Sequence, residues 1–219
     1  MEDNIIVLDT ETAGMTNLFV YDMGYCVYSP TLGRIVARRD FIIREVFNNK
    51  PLMLADFAAA KLPWYENLIA AKKSRLIGWK GASHALRRDI NNYHVKLIYA
   101  YNAPFDYRAI GCTTANYKIL GGRFKKIPFN PTLDITMRDI MRTPEMLELY
   151  KSQAYIDFCK ENEFMTKTNK PSRTAETVYR FMSGNLEFVE EHTALSDSEI
   201  ETRILAKIKG WKLDGVKPL

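Results

Sequence analysis

Residues 5–14 read "IIVLDTETAG": four apolar residues run directly into Asp9 and Glu11, with Thr10 between them. A short apolar run of this kind reads as a buried strand. Alternate side chains of a strand point to opposite faces, so two acids two positions apart share a face and sit side by side. Two unpaired carboxylates that close repel, and burying either charge is costly, so the arrangement persists only if a cation or a shared proton offsets it. A divalent metal is the simplest candidate. Taken alone, D-T-E is also readable as a solvated turn and helix cap after a strand that ends at Leu8, so its meaning depends on partners elsewhere in the chain.

The flanking sequence predicts where those partners lie. "VYDMGYCVY" and "GRIVARRDFII" read as β segments joined by a turn at "SPTLG", which makes a meander with the first strand. From about Leu52 to His94, "LADFAAAKL", "WYENLIAAKK" and "WKGASHALRRDINNY" carry apolar residues at three- and four-residue spacing and predict helices. "VKLIYAYN" predicts a further strand, and Pro104 suits the first turn of a following helix running to Gly111. "PTLDIT" is a short strand candidate, and from Arg138 onward the pattern is helical, broken by the polar loop "TKTNKPSRT". Strands, a helical crossover, another strand and more helices indicate an α/β sandwich with a mixed, about five-stranded sheet, formed by one domain over residues 1–219. Sites in such sheets lie at the carboxyl ends of strands, which is where Asp9 and Glu11 fall.

Composition narrows the chemistry. Hydrophobic residues make up 47% and charged residues 26% of the 219, an ordinary globular balance. No apolar run is long enough to span a membrane, and the M-E-D-N start lacks the basic residues and apolar stretch of a signal peptide, so a cytoplasmic protein is expected. Cys26, Cys112 and Cys159 are widely spaced and form no C-x-x-C pair, and His84, His94 and His192 are the only histidines, which argues against structural zinc. Any metal would rely on oxygen ligands. The net charge of +5 is concentrated: Lys72, Lys73, Arg75, Lys80, Arg87 and Arg88 occur in a run with no acid, and Arg123, Lys125 and Lys126 alternate with aromatics in "GGRFKKIPF". Each cluster could be a solvated surface. A carboxylate cluster within a basic protein is nonetheless what a metal-dependent enzyme acting on a polyanion needs.

Two later segments supply further acids. "YAYNAPFDYRAIG" places Asp106 in the first turn of the helix after the later strand, where a carboxylate suits the helix dipole. In "EEHTALSDSEIETRIL", Ser196 and Glu199 have the spacing of a capping box, and Ile200, Ile204, Leu205 and Ile208 continue an amphipathic helix. Asp197 then lies in a first turn as well, and His192 lies in the approach to it, close to Asp197 without sharing its helical face.

Together, D-x-E at a strand end, N-x-x-x-D after a later strand and H-x-x-x-x-D near the C-terminus resemble the DEDDh family of 3′→5′ exonucleases, which have the ribonuclease H-like fold. "DTETAG" resembles the first motif, "YNAPFD" the second and "HTALSD" the third, in the family's order and across most of the chain. The stretches "YAYNAPFD" and "TAETVYRFMSGNLEFVEEHTALSD" look most like small stand-alone exonucleases of bacteria and their phages, which implies a bacterial cell or phage-infected host. A related subgroup has tyrosine four residues before the last acid; Thr193 stands there, so the histidine subgroup fits. Ala13 replaces the usual second threonine of the first motif, and Met15 stands where leucine is common. Asp134 aligns with an acid common near the family's fifth strand and is not read as a ligand.

The resemblance implies two Mg2+ or Mn2+ ions held by Asp9, Glu11, Asp106 and Asp197, with His192 as general base. It further implies that Thr10, Thr12 and Ala13 line the pocket for the terminal nucleotide through backbone or hydroxyl contacts. Asn102 would meet that nucleotide, and Met15 and Phe105 would supply apolar walls. The expected partner is nucleic acid with a free 3′ end, DNA favoured over RNA, with a polymerase or other replication partner left open. An exoribonuclease would use the same five residues, and a non-catalytic binding module on this fold is the structural alternative.

Overall fold

The computed structural model describes residues 3–14, 18–54, 58–122 and 135–213. Met15, the cluster Arg123, Lys125 and Lys126, and Asp134 lie outside the described residues. The opening stretch forms β1 (Ile5–Ala13), which continues past Leu8, so D-T-E belongs to the strand itself and not to a turn. β2 (Phe19–Ser29) and β3 (Arg34–Ile43) complete the expected meander. Short helices α1 (Arg44–Phe47) and α2 (Lys50–Leu54) lead into α3 (Ala58–Ala70), β4 (Arg75–Ile77) and α4 (Trp79–Asn92). Then come β5 (Leu97–Ala100), α5 (Ala103–Ala115), β6 (Thr136–Asp139), α6 (Pro144–Lys151), α7 (Gln153–Glu161), α8 (Ala175–Ser183) and α9 (Ala194–Ile208).

The strands form one six-stranded mixed sheet in the order β4-β3-β2-β1-β5-β6. β1 pairs antiparallel with β2, placing Asp9 opposite Gly24 and Glu11 opposite Asp22, and parallel with β5. The extra strand relative to the expected five is β4, three residues added in parallel to the edge strand β3. β6 (Thr136–Asp139) begins on the last residue of the anticipated "PTLDIT", whose residues 131–134 lie outside the described residues, and pairs parallel with β5.

Alternation along β1 divides the core. Ile6 and Leu8 join Leu62, Trp79, Leu86 and Ile110 on the face covered by α3, α4 and α5. Ile5 and Val7 join Met146, Tyr155, Val178, Ile204 and Leu205 on the opposite face, under α6 to α9. β2 is buried along its whole length because it lies between β3 and β1 and is covered on both faces. Among the described residues, no helix is long and apolar enough to cross a membrane.

Candidate active site

Asp9 and Glu11 follow Ile5 and Val7 in strand parity, so their side chains belong to the α9 side of β1. Asp9 is half-buried. Loss of hydration pushes its carboxyl well above the ordinary range, reinforced in turn by the charges of Glu201, Asp106, Asp197 and Glu11. Glu11 already has a cation: Lys61 Nζ of α3 lies 2.8 Å from its Oε1 and donates a second hydrogen bond, 3.1 Å, to the His192 carbonyl. Sequence periodicity marks Lys61 only as one residue of a helix, and nothing local signals its pairing with Glu11.

Asp106 is buried in the first turn of α5, as expected. Thr10 Oγ1 donates a 2.8 Å hydrogen bond to its Oδ1. Burial pushes the Asp106 carboxyl up to about 7; the Thr10 hydroxyl and the backbone N–H groups of Asp106 and Thr10 oppose that rise, while Asp139 adds to it. Asp139, at the end of β6, is thus one of the acids whose charge acts on Asp106. α5 extends beyond the anticipated Gly111 to Ala115.

The third motif is docked by β2. Asp22 is fully buried, and its Oδ2 accepts hydrogen bonds from the Ala194 N–H at 3.0 Å and the Tyr65 hydroxyl at 2.7 Å. Gly24, opposite Asp9, lets the backbone of α9 approach: a Cβ there would lie 2.1 Å from Ala194 C and Leu195 N. The anticipated Ser196/Glu199 capping box is not the one formed. Thr193 is the N-cap: its Oγ1 accepts from the Ser196 N–H at 3.1 Å, and Ser196 Oγ accepts from the Thr193 N–H at 3.3 Å. Asp22 fixes the helix start at Ala194, and Glu199 pairs with Arg38 instead.

Asp197 remains in the first turn of α9. Burial and then Glu11 push its carboxyl up to about 6, whereas His192, the Ser196 hydroxyl and Lys61 lower it. His192 is exposed and has a positive φ of 53°. Its segment is clamped to α8: Glu176 Oε2 accepts from the Glu190 N–H at 3.1 Å, and Arg180 Nε donates to the Phe188 carbonyl at 2.7 Å. The Tyr179 and Phe188 rings meet at 4.5 Å. His192 Nδ1 lies 3.7 Å from Glu190 Oε2.

The expected nucleotide contacts divide. Asn102 is exposed at the N-cap of α5 with its side chain uncommitted to the cap, and Phe105 and Thr12 are partly buried. The Ala13 methyl lies in the core, which leaves only its backbone for a ligand. Thr10 is buried and its hydroxyl is engaged by Asp106, so it acts on that carboxylate.

The donor set of Asp9, Glu11, Asp106 and Asp197 suits a hard divalent cation: carboxylates only, whose charges act on one another. Among the described residues, Glu190 Oε1, Asp139 Oδ1 and Glu201 Oε2 are buried without a hydrogen-bond partner. The Lys61 ammonium on Glu11 shows that a cation can be accommodated at that carboxylate. Glu176, Glu190 and His192 form a tighter trio, with ligand atoms all within 4.8 Å of one another, although Arg180 pairs with Glu176 at 2.7 Å. Sequence reasoning had singled out His192 but neither glutamate.

Solved structures that share this architecture include exonucleases I. Against E. coli Exonuclease I in complex with a dA16 oligonucleotide, the match covers 94% of this chain and 41% of that one, with a TM-score of 0.54 and 12% identity. The fold is ribonuclease H-like. Exonuclease I from Methylocaldum szegediense gives a TM-score of 0.51 at 14% identity, covering 94% of this chain and 40% of that one. The chain therefore spans about two-fifths of the length of these structures. No protein-family model matches the sequence, and no curated protein matches it. At such identities the shared property of the ribonuclease H-like fold is the arrangement of strands and helices.

Proposed function

We propose that the protein is a metal-dependent 3′→5′ exonuclease of the DEDDh kind, acting on single-stranded or frayed DNA ends. One observation carries this reading: Asp9 and Glu11, Asp106, and Asp197 with His192 come from three motifs remote in sequence, and their charges act on one another. The crystallised E. coli Exonuclease I with its dA16 oligonucleotide supports DNA as the polymer.

In this reading Asp9, Glu11, Asp106 and Asp197 would hold two Mg2+ or Mn2+ ions, which would supply activation of the attacking water and charge stabilisation at the leaving 3′ oxygen. Thr10 and the α5 N-terminus orient the Asp106 carboxylate. The exposed imidazole of His192, beside Asp197, accepts the proton of the water. Asn102 meets the terminal nucleotide, and Phe105 supplies an apolar wall, a role that the family resemblance gives Met15 as well; base stacking worth roughly 1–3 kcal/mol tolerates any sequence. The products are a nucleoside 5′-monophosphate and a strand shorter by one.

The strand beyond the site has a path of suitable charge. Lys72, Lys73, Arg75 and Arg88 line a groove of about 1170 Å³ together with Arg38 and Arg39, and Leu195 of α9 borders it. Arg38 is paired with Glu199, and Arg39 and Arg88 are engaged by the buried Asp89, which leaves Lys72, Lys73 and Arg75 as the cations suited to phosphates.

A time course on end-labelled single-stranded DNA, duplex DNA and RNA, with Mg2+ or EDTA and with Asp9→Asn as control, tests the proposal. Stepwise shortening from the 3′ end that requires the metal and Asp9 is the expected result. Full activity in excess EDTA overturns it, and faster shortening of matched RNA replaces it with an exoribonuclease.

A further inference from the structure

Glu201 lies one helical turn after Asp197 on α9, on the same face by its four-residue spacing. It belongs to no sequence motif of the reading above. Only 3% of the residue is exposed, and its Oε2 has no hydrogen-bond partner. The backbone of Tyr101, just beyond β5, favours the charged form of its carboxylate. A lone buried carboxylate costs several kcal/mol unless something compensates it, so a glutamate here calls for an explanation.

Its neighbours supply one. The charges acting on Glu201 are, in order, those of Asp106, Asp197 and Glu190. Of the charges acting on Asp9, that of Glu201 is the strongest, ahead of Asp106, Asp197 and Glu11. Glu201, buried one turn after Asp197, therefore shares an electrostatic neighbourhood with Asp9, Asp106 and Asp197. No described lysine or arginine forms an ion pair with it. Placing a further acid there is unfavourable for the protein alone and favourable when divalent cations occupy the cluster.

We propose that Glu201 is a fifth carboxylate of the cation site, adding its charge to those of Asp9, Asp106 and Asp197 in binding the divalent ions. This rests on the proposed metal-dependent function. A purely structural Glu201 would serve the Tyr101 backbone alone, a task that glutamine performs as well.

The test is calorimetric titration of the full chain with Mn2+, comparing wild type, Glu201→Gln and Asp9→Asn, alongside melting in EDTA. Glu201→Gln keeps the shape and the acceptor for Tyr101 but removes the charge. It is expected to weaken Mn2+ binding at least about tenfold, equal to about 1.4 kcal/mol. It should also raise the melting temperature of the EDTA-treated protein. Wild-type Mn2+ affinity and stoichiometry in Glu201→Gln, with binding lost in Asp9→Asn, overturns the role of Glu201 and leaves the metal centre standing. If wild type binds no Mn2+, or Asp9→Asn binds it as wild type does, the metal centre is refuted and the role of Glu201 falls with it. Should Glu201→Gln not fold, Glu201→Asp carries the same test: it withdraws the charge by one methylene, so weaker binding supports the proposal and unchanged binding overturns it.

Discussion

Replacing Gly24 by alanine tests the docking of the third motif against the sheet. The new Cβ would lie 2.1 Å from Ala194 C and Leu195 N, and 2.4 Å from Ala194 O, where ordinary contact begins near 3.4 Å, an overlap of about 1.3 Å with backbone. No rotamer relieves a clash between a Cβ and main-chain atoms, so the N-terminus of α9 must move away from β2. That movement stretches the 3.0 Å bond from the Ala194 N–H to Asp22 and carries Asp197 and His192 away from Asp9. Overpacking costs roughly 1–3 kcal/mol, and a misplacement of about 1 Å at a reacting centre costs on the order of 10²-fold in rate. Denaturant unfolding should therefore show a loss of about that size, and single-turnover cleavage of end-labelled DNA should slow by about 10²-fold or more. Gly111→Ala is the control: a Cβ there meets nothing within 4 Å, and alanine within α5 should be neutral or stabilising by up to about 1 kcal/mol. Wild-type stability and turnover in Gly24→Ala would refute the argument that this close approach positions the site.

His192→Ala should leave Mn2+ binding near wild type while slowing turnover by about 10²–10⁴-fold, whereas Asp197→Asn should weaken metal binding and abolish cleavage together; near-normal turnover in His192→Ala removes it as the base. Neutralising Lys72, Lys73 and Arg75 together should weaken DNA binding and flatten its salt dependence with little change in rate at saturating substrate, and an unchanged salt slope returns that groove to an ordinary solvated surface. The metal-free protein should become less stable as pH rises. Asp197 and Asp106 are raised to about 6 and about 7, so the folded state holds protons that the unfolded chain releases near pH 4; their contribution is complete below that pH and is lost as pH climbs through 6 and 7. Calorimetry in EDTA should thus give a lower melting temperature near pH 8 than near pH 5, and a flat or rising trend counts against the crowded-carboxylate description.

The parity of Ile5, Val7, Asp9 and Glu11 was legible because a strand's two-residue period is local: wherever β1 lies in the sheet, those side chains share a face. Pro104 likewise marks the start of α5 through its own ring, and so places Asp106 in a first turn. β4 was not legible, since Arg75–Ile77 is too short for a period and becomes a strand only by pairing with Phe41–Ile43. The start of α9 shows the same dependence: Thr193 and Ser196 both offer capping hydroxyls, and Asp22, 172 residues away from Ala194, decides between them. Glu201 left a faint trace, an acid four residues after Asp197 and three before Ile204 on the apolar stripe of the helix. Its burial among the other acids, like the hold of Lys61 on Glu11, arises only when α3, β1 and α9 converge, because the energy of a charge is set by neighbours that chain order does not specify.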